Sequence, residues 1–140
     1  MKSQHDDLCP CNSGKPYEQC CKLFHDGVEK VKNACELMAS RYSAYAKEHS
    51  EYIIQTTHTS HPQYNENKRS WLKEIDDFMK MTTFENLKIF DFTEEGNEAY
   101  VTFRAVLSVQ GKDCSFTERS QFLKENEQWY YANGEIFEQI

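Results

Sequence analysis

The stretch Glu98-Ala-Tyr-Val-Thr-Phe-Arg-Ala-Val-Leu-Ser-Val109 alternates apolar and polar side chains, with Val106 as its one interruption. Successive side chains of a strand point to opposite faces, so Ala99, Val101, Phe103, Ala105, Leu107 and Val109 line one side. A strand with one apolar face belongs to an antiparallel sheet covered on that side only. The same period of two predicts strands over 84–92, 113–124 and 128–136. Between them lie Glu95-Gly96-Asn97, Gln110-Gly111-Lys112 and Glu125-Asn126-Glu127. These breaks are short and turn-like, so four strands are expected to pair as successive hairpins.

Upstream of Thr83 the period changes. Ala34, Cys35, Met38, Tyr42, Tyr45 and Ala46 recur every three or four residues, which predicts one face of an amphipathic helix. A short helix is expected over 50–57, burying Tyr52, Ile53 and Ile54. A polar loop broken by Pro62 follows, and then a third helix whose face carries Trp71, Ile75, Phe78 and Met79. Helices first and a hairpin sheet afterwards define an α+β fold for residues 30–140. His25-Asp26-Gly27 is the expected hinge to a small appendage over residues 1–25.

Composition narrows the function. The chain has 140 residues, a net charge of −7 and 14% aromatic residues. Clustered Lys and Arg drive phosphate binding, so direct nucleic-acid binding is not expected. No apolar run is long enough for a membrane-spanning helix or a secretory signal core. The expectation is a cytoplasmic protein, off the membrane, monomeric or homodimeric.

Four of the six cysteines crowd into the appendage as Cys9-Pro-Cys11-Asn-Ser-Gly-Lys-Pro-Tyr-Glu-Gln-Cys20-Cys21. Two thiolates one residue apart can turn toward a single ion. Asn12-Ser13-Gly14 offers a turn back, and Pro16 suits the start of a short helix presenting Cys20 and Cys21. Four thiolates complete a closed tetrahedral zinc site, which leaves no position for substrate and marks the metal as structural. Disulfides are disfavoured because adjacent cysteines pair under strain. Redox-active thiols favour Cys-x-x-Cys, and iron–sulfur clusters use other spacings. Cys35 and Cys114 read as small buried hydrophobes.

The motif Cys-x-Cys-x-Ser-Gly, followed after the second cysteine by eight residues and Cys-Cys, resembles the SEC-C zinc motif. Leu37-Met38-Ala39-Ser40-Arg41-Tyr42-Ser43-Ala44-Tyr45, Tyr52-Ile53-Ile54, Thr57-His58, Glu118-Arg119-Ser120-Gln121-Phe122 and Trp129-Tyr130-Tyr131 resemble the bacterial YchJ family. That family joins an N-terminal SEC-C motif to a domain similar to nuclear transport factor 2. The resemblance implies helices packed on a curved, four-stranded antiparallel sheet, a cystatin-like cone, and one structural zinc held by Cys9, Cys11, Cys20 and Cys21. It implies no reaction. Some relatives carry a second SEC-C motif at the C-terminus, and relatives tend to have Trp-His-Pro where Thr57-His58-Thr59 stands here.

By analogy with the export motor ATPase, whose SEC-C motif docks a chaperone, the expected function is an adaptor. The motif would dock a protein or ribonucleoprotein partner through Lys15, Tyr17, Lys22 and Phe24. The alternative is a small-molecule binder or enzyme using the cone's cavity. Strand alternation places Glu118 and Ser120 in the apolar stripe of Cys114, Phe116 and Phe122, and a carboxylate among aromatics is a candidate general acid or base. The competing reading pairs Glu118 with Arg41, Arg104 or Arg119, or turns it to solvent at a bulge. Tyr42 and Tyr45 are candidate cavity residues and equally candidate core. His58 and His61 read as solvated loop residues, with metal ligation or proton shuttling as the alternative. No phosphate loop, nucleophile elbow or His-Glu-x-x-His signature appears, so the reading leans away from an enzyme.

Overall fold

The computed structural model describes residues 8–137. Residues 1–7 of the expected appendage and 138–140 of the expected main domain lie outside the described residues. After a 3₁₀ turn at Tyr17–Gln19 come α1 (Cys21–His25), α2 (Ala34–Ala46), α3 (Ser50–Gln55) and α4 (Lys68–Met81). Asn33 caps α2 by accepting from the Glu36 amide, and Asn67 caps α4 by accepting from Ser70. The strands are β1 (Thr82–Glu95), β2 (Glu98–Val109), β3 (Lys112–Asp113), β4 (Phe116–Glu125) and β5 (Gln128–Phe137).

The long strands run antiparallel in the order β1-β2-β4-β5, with β3 extending the turn beyond β2. Gln110 and Gly111 both have positive φ, as do Asn126 and Glu127. Paired positive φ values match the right-handed strand twist across two-residue turns. The expected third strand is corrected at its start. Asp113 Oδ1 accepts from the Ser115 amide, and Ser115 Oγ accepts from the Leu107 amide. The chain leaves the ladder there, and Cys114 is exposed rather than a buried hydrophobe; Cys35 is half-buried. Bulges between Phe84 and Asn86 and between Ile89 and Asp91 bend β1, and another in β5 opposes Gln121/Phe122.

Helix α2 lies against the sheet. Leu37, Met38 and Tyr42 meet Leu87, Val101, Phe103, Leu107 and Phe122 in the main core. A second cluster joins Ala44 and Ile53 to Trp71, Ile75 and Met79, docking α3 and α4. Among the described residues no helix is long and apolar enough to cross a membrane.

Candidate functional site

The four clustered cysteines meet. Their Sγ atoms all lie within 4.8 Å of one another, and Cys11 and Cys20 are 3.7 Å apart. Asn12 and Gly14 take positive φ, and the Cys9 amide donates to the Lys15 carbonyl, which closes the loop carrying the first two thiols. The Tyr17–Gln19 turn and α1 deliver the other two. Hydrogen bonds from Cys11 and Cys21 hold the Cys9 thiol far below the usual thiol range, and Cys11 and Cys9 push Cys21 far above it. Sulfurs this close do not ionise together unaided. A cation is what makes four neighbouring thiolates compatible, so this donor set fits a metal ion.

The cluster is joined to the main domain. The Ser43 hydroxyl lies 3.3 Å from Cys9 Sγ, and Asn12 Nδ2 donates to the Leu87 carbonyl. His25 Nε2 donates to the Ser40 carbonyl, while Nδ1 faces the Tyr17 hydroxyl at 2.7 Å. The His25 ring packs 4.8 Å from both His49 and Tyr52. Within the expected hinge, His25 is held from both ring nitrogens and Gly27 takes a positive φ. Tyr17 is also corrected, being buried beneath the Lys47 ammonium instead of exposed. Lys15 is exposed, Lys22 pairs with Asp26, and Phe24 is half-buried.

On the opposite face of α2 lies an apolar cavity of about 180 Å³. Its walls include Tyr42, Tyr45, Phe84, Phe103, Phe122 and Tyr131, with Arg41, Glu118 and Ser120 as polar members. Glu118 is 9% exposed, and its Oε2 accepts from Ser120 Oγ at 2.5 Å and from the Tyr131 hydroxyl at 2.8 Å. The expected pairing with arginine is corrected. No ion pair among the described residues includes Glu118, because Arg41 donates to the Ile53 carbonyl, Thr56 and Thr57 while Arg119 stacks on Tyr100. The Arg41 guanidinium sits 4.5 Å above the Tyr131 ring, and the hydroxyl of that ring donates to Glu118. Gly134 makes room for this arrangement, since a Cβ there would overlap Glu118 Oε2 and the Tyr131 hydroxyl.

Tyr42 is 4% exposed, and its hydroxyl finds no hydrogen-bond partner among the described residues. Burial pushes the phenol up to about 12; the Asn86 backbone tempers that rise without making a well-directed bond. Burial likewise raises Tyr45 and Tyr131. His58 is not simply solvated, since Nε2 meets Glu125 at 2.6 Å and Nδ1 meets Ser60. His61 packs 5.0 Å from the Tyr131 ring, and burial lowers its pKa.

The sequence reading missed Tyr131 and Gly134 as cavity determinants. A glycine inside a strand signals close approach of other atoms, and Gly134 carried that signal.

Residues 33–134 match the family described as YchJ, middle NTF2-like domain, and residues 7–23 match the SEC-C motif. The UPF0225 protein VP1145 of Vibrio parahaemolyticus is 36% identical over 127 residues, covering 90% of this chain and 73% of that protein. The UPF0225 protein plu2503 of Photorhabdus laumondii is 36% identical over 91% of this chain and 80% of its own. The solution structure of RPA3114, a SEC-C motif protein from Rhodopseudomonas palustris, superposes with a TM-score of 0.77 at 31% identity, covering 93% of this chain and 98% of that one. A SEC-C motif protein from Psychrobacter arcticus shares the fold, with a TM-score of 0.75 at 24% identity, over 94% and 84% of the two chains. On these matches the chain belongs to the YchJ family, a SEC-C motif joined to a nuclear-transport-factor-2-like domain.

Proposed function

We propose that this protein binds a small organic molecule in the cavity beneath α2, and that its cysteine cluster holds one structural zinc. The observation that carries the cavity reading is an aromatic-walled space of about 180 Å³ whose polar lining includes Arg41, Glu118 and Ser120. Glu118 is held there by two donors, the Ser120 and Tyr131 hydroxyls. The test is titration of the full chain with toluene, followed by NMR. Shifts concentrated on Met38, Phe103, Leu107 and Phe122 are expected, and unperturbed spectra at millimolar toluene would end the reading.

Zinc is favoured by the donor set. Tetrahedral zinc with sulfur at about 2.3 Å places its ligands about 3.8 Å apart, and Cys11 and Cys20 stand at 3.7 Å. Metal analysis of the purified protein should return one zinc per chain. The double substitution Cys20→Ser, Cys21→Ser should return none.

A second reading keeps the appendage as a docking surface for a protein or ribonucleoprotein. It is favoured by Lys15, Lys22 and Phe24, which retain accessible surface on the knob, whereas Tyr17 does not. A partner that is retained by wild type and lost on Lys15→Glu, Phe24→Ala, with metal content unchanged, would support it. Equal capture by both baits would remove it.

A further inference from the structure

Resting on the structural-zinc reading above, we propose that Cys11 and Cys20 are a modification site, which hydrogen peroxide oxidises to a disulfide with release of the metal. The four cysteines are equal as ligands and unequal in exposure. Cys9 and Cys21 are 4% and 1% exposed, and Cys9 lies against Ser43 of α2. Cys11 and Cys20 keep part of their surface in solvent, and their Sγ atoms stand 3.7 Å apart. A metal ion holds its sulfur ligands as thiolates, the form that attacks peroxide. Oxidation-sensitive cysteines combine thiolate character, access to solvent and a second thiol within reach. Within the cluster, Cys11 and Cys20 are the pair that combines all three.

Their neighbours set the order of events. Cys20 Sγ lies 3.3 Å from the hydroxyl of exposed Ser13, whereas Cys11 also packs against the main core. The Cys20 thiolate therefore meets peroxide first. Its sulfur attacks one peroxide oxygen, the O–O bond breaks and hydroxide leaves, giving a sulfenic acid at Cys20. The Cys11 thiolate then attacks that sulfur, forming the S–S bond and expelling a second hydroxide. Two thiolates have lost two electrons, and the peroxide, with two protons from solvent, has become two waters. Cys9 and Cys21 are left as two ligands of four, and the closed tetrahedral site is lost.

Other pairings are poorer. Cys20 and Cys21 are adjacent, joined by a trans peptide. Their Cα atoms are then about 3.8 Å apart, below the roughly 4.4 Å that a disulfide usually spans. Pairing with Cys9 would draw its buried sulfur away from Ser43.

The experiment treats the zinc-loaded full chain with hydrogen peroxide at doses that oxidise Cys114, which is exposed and outside the cluster. Released zinc is read with a chromophoric chelator, and the oxidised cysteines by differential alkylation and mass spectrometry. One zinc should leave for each Cys11–Cys20 disulfide formed, with Cys9 and Cys21 still reduced. Cys20→His leaves three sulfurs and a nitrogen, a donor set that zinc also accepts, and removes the pair. It should keep its zinc at the same doses. If Cys114 is oxidised while the cluster keeps its zinc and four thiols, the inference is wrong and the zinc reading stands. The same holds if another pairing dominates, or if Cys20→His loses zinc as fast as wild type. If that variant takes up no zinc, the wild-type cysteine map decides alone. If the wild-type chain takes up no zinc, both readings fall.

Discussion

A buried phenol that bonds to nothing costs on the order of 1–3 kcal/mol, and the Tyr42 hydroxyl is in that position among the described residues. Removing the oxygen while keeping the ring should therefore stabilise the ligand-free protein. Tyr42→Phe is expected to raise the unfolding free energy by about 1 kcal/mol, read by urea denaturation at pH 7. A loss of stability would mean that the hydroxyl has a partner in solution. Gly134 sits opposite Ser120 in the β4–β5 ladder. A methyl group there displaces the Glu118 carboxylate and the Tyr131 hydroxyl from each other. Gly134→Ala should cost about 1–3 kcal/mol by overpacking, and most of that cost should vanish in a Glu118→Ala background, as a double-mutant cycle would show. Glu118 and Ser120 were legible as inward residues because alternation along one strand is local. Tyr131 was not, since its hydroxyl reaches Glu118 only after a bulge shifts β5 by one residue against β4. Nor could alternation reveal that Arg41 would spend its donors on the end of α3.

At the scale of elements, α2 serves two sites with two faces. Ser43 and Lys47 turn toward the cysteine cluster and the Ser40 hydroxyl meets Tyr52 of α3, while Met38, Arg41, Tyr42 and Tyr45 turn toward the cavity. That division explains why its apolar periodicity was only half informative. Ser40 and Ser43 are fully buried polar residues that a periodicity reading assigns to solvent, and Ser43 is small enough to let the cysteine loop approach. The Ser43 hydroxyl beside Cys9 should donate to the thiolate once metal is bound. Outer-shell donors of this kind are typically worth about 10–100-fold in metal affinity. Ser43→Ala should therefore lower zinc affinity by at least about tenfold in competition with a chromophoric chelator, and an unchanged affinity would leave Ser43 as packing alone. The end of α1 adds a pH response. Burial, opposed by the Ser40 carbonyl and reinforced by His49, lowers the His25 pKa below the ordinary imidazole value. In acid the unfolded chain takes up a proton that the folded protein refuses, so stability falls as pH drops below about 6.5 toward the folded value. His25→Gln keeps a donor for Ser40 and should flatten the dependence below about pH 6.5. An equally steep profile would place the titration elsewhere.

Across the whole molecule, the cysteine knob packs against the main domain through Ser43, Leu87 and Ser40. The sequence separated them because cysteines and polar residues dominate the first 25 positions, leaving few apolar residues to form a core there. The contacts that unite them are hydrogen bonds and ring packing between distant segments, such as His25 with Ser40 and Tyr52, which no local pattern announces. The consequence is testable by metal removal. Where ligands converge only in the folded state, binding energy is folding energy. Stripping the metal should loosen the loop closed by the Cys9 and Asn12 amides, and with it the packing of His25 on α2 and α3. A coupling of about 3 kcal/mol would lower the unfolding midpoint of the entire chain by roughly 10 °C. A detachable knob would leave that midpoint in place and lose only its own amide-exchange protection. Because Ser43 and Tyr42 are neighbours on one helix, the same treatment should also weaken toluene binding in the cavity. Intact toluene affinity in the metal-free chain would show that α2 holds the cavity wall without help from the cluster behind it. The metal would then stabilise the knob alone.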